Sequence, residues 1–146
     1  MTSSIRSALL VTGQFLGSAV IAFGGSWKAL PAWSLVLLVA SMLLVLWSAL
    51  SLGRANLSIM PDPVPGNVLI RKGAYRWVRH PMYLAVLVAS AASACGAPTL
   101  VRLLALGGLV PAILLKIGVE ERALIARHPE YAEKMAGTWR LVPFLW

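Results

Sequence analysis

Charge is scarce in this chain: of its 146 residues only 12% are Asp, Glu, Lys or Arg, and just five are acidic. A soluble domain carries about 25%, so a water-solvated globule is excluded. No charged residue falls between Arg6 and Lys28, between Lys28 and Arg54, or between Arg79 and Arg102. There is one cysteine, Cys95, which excludes an intramolecular disulfide and a cysteine metal centre. It reads as a small packing residue within an apolar stretch.

What is present is apolar: 59% of the residues are hydrophobic. Each charge-free interval is long enough to cross a hydrocarbon core of roughly 30 Å. The expected fold is all-α and integral to the membrane, a single domain over 1–146 with about four transmembrane helices, near 8–25, 32–52, 81–97 and 100–118. Arg102 and Lys116 sit near the two ends of the fourth span, where their stems are expected to snorkel to the headgroups. On that reading no ionisable residue lies deep in a span, which disfavours a transporter subunit. The first span follows Arg6 as a signal peptide would, but a signal core is normally shorter and nothing near Gly24 and Gly25 reads as a cleavage site. It is expected to be a retained helix.

The formal charge of +8 would point to nucleic acid in a soluble protein. Here it marks topology. Counted along four spans, only Lys28 and Arg102 fall on one side, and every other cation falls on the opposite side. The positive-inside rule then makes segments 53–80 and 119–146, and both termini, cytoplasmic; in a bacterium this is the inner membrane.

Chemistry that needs polar side chains belongs in those two segments. In the first, Pro61 to Gly66 favours a stiff, turn-rich connector, and Pro81 suits the first turn of the third helix. In the second, Glu120 to Ala126 extends the fourth helix until Pro129 interrupts it. Tyr131 to Met135 allows a short helix, and the aromatic run from Trp139 to Trp146 has the composition of an interfacial segment that folds back on the bilayer or over the site. Arg127-His128-Pro129-Glu130-Tyr131 echoes Arg79-His80-Pro81-Met82-Tyr83, but the flanks differ and no duplication is inferred. Gly13 and Gly17 read as ordinary close helix packing.

Together the segments offer a basic set, Arg76, Arg79, His80 and Arg140, and an acidic pair, Glu120 and Glu121. Opposite charges at one membrane surface can build a pocket for a zwitterion. Adjacent helical residues point about 100° apart, so one glutamate can face the pocket while its neighbour braces an arginine. Composition alone allows a helix end with solvated glutamates just as readily, and it favours the plainer reading of the rest, with His80 an interfacial residue that ends a loop and arginines that set topology or bind anionic lipid.

The ordered string Gly73-Ala74-Tyr75-Arg76-Trp77-Val78-Arg79-His80-Pro81-Met82-Tyr83, preceded by Leu52-Gly53-Arg54 and Pro61 to Gly66, resembles the isoprenylcysteine carboxyl methyltransferase and phospholipid methyltransferase superfamily. The second half of that pattern is matched by Glu120-Glu121-Arg122-Ala123-Leu124, Tyr131, and Arg140-Leu141-Val142-Pro143. Ala74, Ala85 and Lys134 depart from the residues common at their positions, but no charged member is missing. The resemblance covers about the last two thirds of the chain.

It implies an S-adenosylmethionine-dependent membrane methyltransferase acting on a lipophilic acceptor, with carboxyl and amine groups both open. By similarity His80, Tyr83, Glu120 and Glu121 contact the cofactor, and Tyr75 with the aromatic tail shelters the adenine. Arg79, Arg140 and Glu121 are the implied catalytic set, the arginines holding the cofactor carboxylate or an anionic acceptor. Membrane lipid is the expected surrounding partner, and the oligomeric state is open. The contrasting reading is a non-catalytic small membrane protein whose basic face binds anionic lipid or a partner.

Overall fold

A computed structural model of the chain describes residues 3–56, 58 and 66–146. The connector expected over Pro61 to Pro65 lies outside the described residues. Five α-helices follow in order: α1 (Ser3–Phe23), α2 (Ala32–Leu52), α3 (Pro81–Gly96), α4 (Leu100–Arg127) and α5 (Tyr131–Lys134). Short 3-10 turns occupy Trp27–Ala29, Arg54–Asn56 and Gly73–Arg76. Among the described residues there is no strand, only an isolated parallel bridge between Val78 and Trp139.

Three helices are long and apolar enough to cross a membrane: α1 from Ile5 to Phe23, all of α2, and α4. The chain is therefore an integral membrane protein. α3 is apolar but has 16 residues, and at about 1.5 Å per residue it falls short of a core of roughly 30 Å.

The burial pattern is that of a protein dissolved in lipid. α2 exposes Val36, Val39, Leu43, Leu46 and Leu50, while the residues it buries are Ser34, Ser41, Ser48 and Ser51. The first three of those serines recur every seventh residue and so share one helical face. Small side chains there let α2 lie close to α3. Ser34 donates to the Ala92 carbonyl at 2.9 Å, and a Cβ on Gly96 would collide with Ser34. Ser41, Ser48 and Ser51 donate to carbonyls four residues back at 2.7, 2.6 and 2.7 Å, leaving no hydroxyl stranded.

α1 packs on α4, and Gly17 faces Leu109 there, as expected of close packing, whereas a Cβ on Gly13 would meet nothing within 4 Å, so that glycine is not a packing contact. Ile21, Leu109, Ile113 and Ile117 form the core with Ala94 of α3 and Leu141 of the tail. α4 starts at the Thr99 cap, whose side chain accepts from the Arg102 amide. It stops at Arg127, because the residue before Pro129 is disfavoured in a helix.

Three expectations need correction. Arg102 does not snorkel; it is fully buried. Its guanidinium donates to the carbonyls of Ile21 at 2.9 Å, Ala97 at 3.0 Å and Gly25 at 3.1 Å. The C-terminal ends of α1 and α3 meet at that point, and their unpaired carbonyls draw the cation inward. Lys116 is also turned inward, 2% exposed, with Nζ donating to Gln14 Oε1 of α1 at 2.8 Å. Both cations are thus inside the helix bundle. Cys95 is exposed rather than packed, its neighbour Ala94 taking the core position.

Candidate active site

The segment before α3 is anchored from below. Gly73 adopts φ +55°, and a Cβ there would meet the Ser51 side chain. The Ala74 amide donates to Ser51 Oγ at 3.4 Å, tying the turn to the end of α2. The tail ties it from the side: Trp139 donates to the Trp77 carbonyl at 2.9 Å, and the Arg79 amide donates to the Trp139 carbonyl at 2.8 Å. Pro81 then opens α3, with the His80 carbonyl accepting from Leu84 at 3.1 Å.

That path leaves the His80 side chain free of capping duty, and it turns inward, 5% exposed. Its Nε2 lies 3.3 Å from Glu121 Oε1 and its Nδ1 3.8 Å from Glu120 Oε2. Three residues on, Tyr83 stacks on the imidazole, centroids 5.6 Å apart, and donates to Glu120 Oε2 at 2.7 Å. The two glutamates diverge as adjacent helical residues must. Glu120 faces Tyr83, whereas Glu121 is a buried hub. Arg140 Nε stands 2.7 Å from Glu121 Oε2, a charge contact not aligned as a hydrogen bond. Arg79 Nη1 lies 3.7 Å from Glu121 Oε1, and its Nε donates to Thr138 Oγ1 at 3.0 Å. Arg140 also rests 4.3 Å from the Trp146 ring centroid, so the tail closes over the hub.

A cavity of about 330 Å³ opens beside this cluster. Arg79, His80, Tyr83, Glu120 and Tyr75 line it. Glu121 and Arg140 are not among its lining residues and stand behind them, and the aromatic run 139–146 does not reach it. Arg76 is elsewhere, 6.0 Å from the Trp77 ring in a surface pocket with Arg71 and Lys72. The cavity also has apolar lining, from Leu69 and Ile70 of the extended segment and Leu124 of α4. That segment is held by polar contacts: Asn56 Oδ1 accepts from the Val68 amide at 2.9 Å, and Asn67 Oδ1 accepts from Arg127 Nη1 at 3.2 Å. His128 Nε2 lies 3.3 Å from the same Asn67 oxygen, so the second Arg-His-Pro string clamps a wall instead of forming a second site.

Burial raises the Tyr75 hydroxyl above the ordinary phenol range, with the Glu120 charge adding to it. Tyr131 is pushed up to about 12, by burial first and by Glu121 next. Both phenols are held neutral. Tyr131 reaches Glu121 Oε1 at 3.5 Å.

Gln14, Lys116, Asn56 and Asn67 also line the cavity and were not singled out by sequence. Lys116 carried a readable signal, since it precedes Glu120 by four residues and so shares its helical face. Gln14 carried none, because its pairing with Lys116 spans 102 positions.

Apolar helices long enough to cross a membrane thus end in a buried acid–base cluster beside a cavity. The model of the isoprenylcysteine carboxyl methyltransferase (ICMT) family matches residues 34–126. The chain belongs to that family, and with it to the membrane methyltransferases. The match takes in α3 and nearly all of α2 and α4 and leaves α1 and the tail outside. No curated protein matches the chain.

Proposed function

We propose that this protein transfers a methyl group from S-adenosylmethionine to a lipophilic acceptor at the cytoplasmic face of the membrane. The observation that carries the reading is the Glu120 carboxylate on the wall of the 330 Å³ cavity, with Arg79, His80 and Tyr83 in the same lining and apolar side chains beside them. S-adenosylmethionine presents an ammonium, a sulfonium, a carboxylate and an adenosine, and this donor set fits it. When bound it supplies an electrophilic methyl group on sulfur.

Each side chain then has a task. Glu120, held by the Tyr83 hydroxyl, takes the ammonium or the ribose hydroxyls. Arg79 reaches the carboxylate, a geometry that a guanidinium serves well. Tyr75 and the apolar wall hold the adenine. Glu121 and Arg140 act as positioning residues, Glu121 fixing Arg79 and His80 and Arg140 securing Glu121 to the tail. Alignment and exclusion of water are the main demands of methyl transfer. A carboxylate acceptor needs no base, while for an amine acceptor His80 or a glutamate takes the proton.

α1 packs on α4 and α2 on α3, and Phe15 of α1 and Val45 of α2 line the cavity from these two pairs. The acceptor enters from the bilayer between them. Short as it is, α3 runs from His80 beside Glu121, near the end of α4, to Ala97 on Arg102, at the start of α4, and with that fourth passage the cation distribution supports cytoplasmic termini and a cytoplasmic site.

The test is isothermal titration of the purified chain in detergent with S-adenosylmethionine, followed by incubation of lipid extracts with methyl-labelled cofactor. Saturable heat, its loss in Glu120→Ala, and a labelled lipid product are the expected results. Absence of heat from folded wild-type protein would overturn the proposal in favour of a lipid-binding role for the basic face.

A further inference from the structure

The turn before α3 carries a second group of cations, away from the cavity. Arg71, Lys72 and Arg76 line an open surface pocket together with Trp77, Gly73 and Gly137. All three cations and Trp77 are exposed. Arg71 is set in place by its Nη2, which donates to the Ala136 carbonyl at 2.7 Å. A guanidinium has five N–H groups, so Arg71 keeps donors for a further partner. Arg76 lies 6.0 Å from the Trp77 ring centroid, within reach of a cation–π contact. Gly137, at φ +76°, leaves its part of the pocket open, since even a Cβ there would approach only Arg71 Nη2, at 3.9 Å.

Three like charges in one pocket repel one another until an anion joins them. The chain has five acidic residues, of which Glu120, Glu121, Glu130 and Glu133 are described and Asp62 is not. Among the described residues no carboxylate lies within ion-pairing distance of Arg71, Lys72 or Arg76.

The position of the pocket says what kind of anion it meets. Ala74 is tied to Ser51 at the end of α2, and Pro81 opens α3, so the turn between them lies where the membrane-crossing α2 leaves the hydrocarbon. Headgroups lie at that level. Trp77 is 62% exposed there, and tryptophan is the side chain that settles at a membrane interface. A soluble phosphate has no use for an aromatic beside the cations, whereas a phospholipid brings glycerol and acyl carbons along with its phosphate.

We infer that Arg71, Lys72 and Arg76, with Trp77 beside them, bind the headgroup of an anionic phospholipid. The guanidinium groups fork onto phosphate oxygens and Lys72 adds a point charge. This site is apart from the Glu120 cavity, and the inference stands whether or not the chain transfers methyl groups.

The full chain in neutral-detergent micelles is titrated calorimetrically with dioctanoyl phosphatidylglycerol, dioctanoyl phosphatidylcholine and inorganic phosphate, with the heats of protein-free micelles subtracted. Phosphatidylglycerol is expected to bind at least ~10-fold more tightly than either of the others. The double variant Lys72→Gln/Arg76→Gln should shrink its preference over phosphatidylcholine below ~3-fold. Arg71→Gln should shrink it too. Should Arg71→Gln fail to fold for want of its bond to Ala136, the double variant alone decides the question. Arg122→Gln, which removes an exposed cation outside the pocket, should leave the preference intact. Equal binding of the two lipids by the wild type overturns the inference, as does an undiminished preference in the double variant. An equal loss in Arg122→Gln overturns it in favour of diffuse attraction to the whole basic face, and inorganic phosphate binding as tightly as phosphatidylglycerol overturns it in favour of a soluble anion.

Discussion

Arginines stand at both ends of this helix bundle, and the two ends use them differently. At one end Arg102 is fully buried and spends its donors on the carbonyls of Ile21, Ala97 and Gly25. At the other, Arg79 and Arg140 meet a single carboxylate, Glu121, and Arg79 keeps a side facing a cavity. Buried charge is therefore not itself a mark of function. What separates the two is the partner: backbone carbonyls cannot exchange for a ligand, whereas a charged side chain beside open space can.

The comparison breaks most visibly if Arg102 proves dispensable. Arg102→Met strands carbonyls at the C-terminal ends of α1 and α3, and with buried unsatisfied groups costing about 1–3 kcal/mol each, the loss should reach at least about 3 kcal/mol. Thermal unfolding in detergent reads it directly. Arg102→Lys should recover less than half, because an ammonium cannot span carbonyls of both helices as a planar fork does. Gly25 belongs to the same device, since a Cβ on it would lie 2.9 Å from Arg102 Cζ. Unchanged stability in Arg102→Met would erase the contrast between the two ends.

At the other end the two glutamates should separate stability from binding. Glu121→Gln leaves Arg79 and Arg140 without their shared anion, and a loss of about 2–3 kcal/mol is expected, together with weaker S-adenosylmethionine binding. Glu120→Gln touches fewer partners. It should cost under about 1 kcal/mol in unfolding yet weaken S-adenosylmethionine about 10–100-fold, as loss of a charge-assisted contact does. Equal effects of the two variants in both assays would mean that hub and wall are one unit.

Much of this was legible in the sequence, for definite physical reasons. The charge-free intervals marked the helices, because lipid forbids unpaired charge. The paired strings around Arg79-His80 and Glu120-Glu121 marked the cluster, because opposite charges beside one membrane surface pair with each other rather than stand alone. Arg102 and Lys116 were misread: hydropathy fixes where a cation lies along a span but not whether it turns toward lipid or bundle. That choice depends on Gly25, Ala97 and Gln14, residues without charge that only the packing of α1 and α3 on α4 brings near. The serine seam of α2 was hidden for a related reason. In water an apolar face would be buried, and here the buried face is the small, hydroxyl-bearing one.

The smallest effect expected is also the sharpest probe of the wall. Tyr83→Phe keeps the ring, so the stacking on His80 and the face presented to Lys116 persist, and only the 2.7 Å bond to Glu120 is lost. A hydrogen bond to a charged group contributes about 1.5–3 kcal/mol, but the released carboxylate faces a cavity that water can enter, so a net cost near 1 kcal/mol is expected. S-adenosylmethionine affinity should fall by roughly fivefold to tenfold with little change in thermal unfolding. A fall as large as that of Glu120→Gln would mean that the phenol itself touches the ligand. No change at all would mean that α4 alone aims Glu120, and the wall would then be as rigid as the Arg102 end.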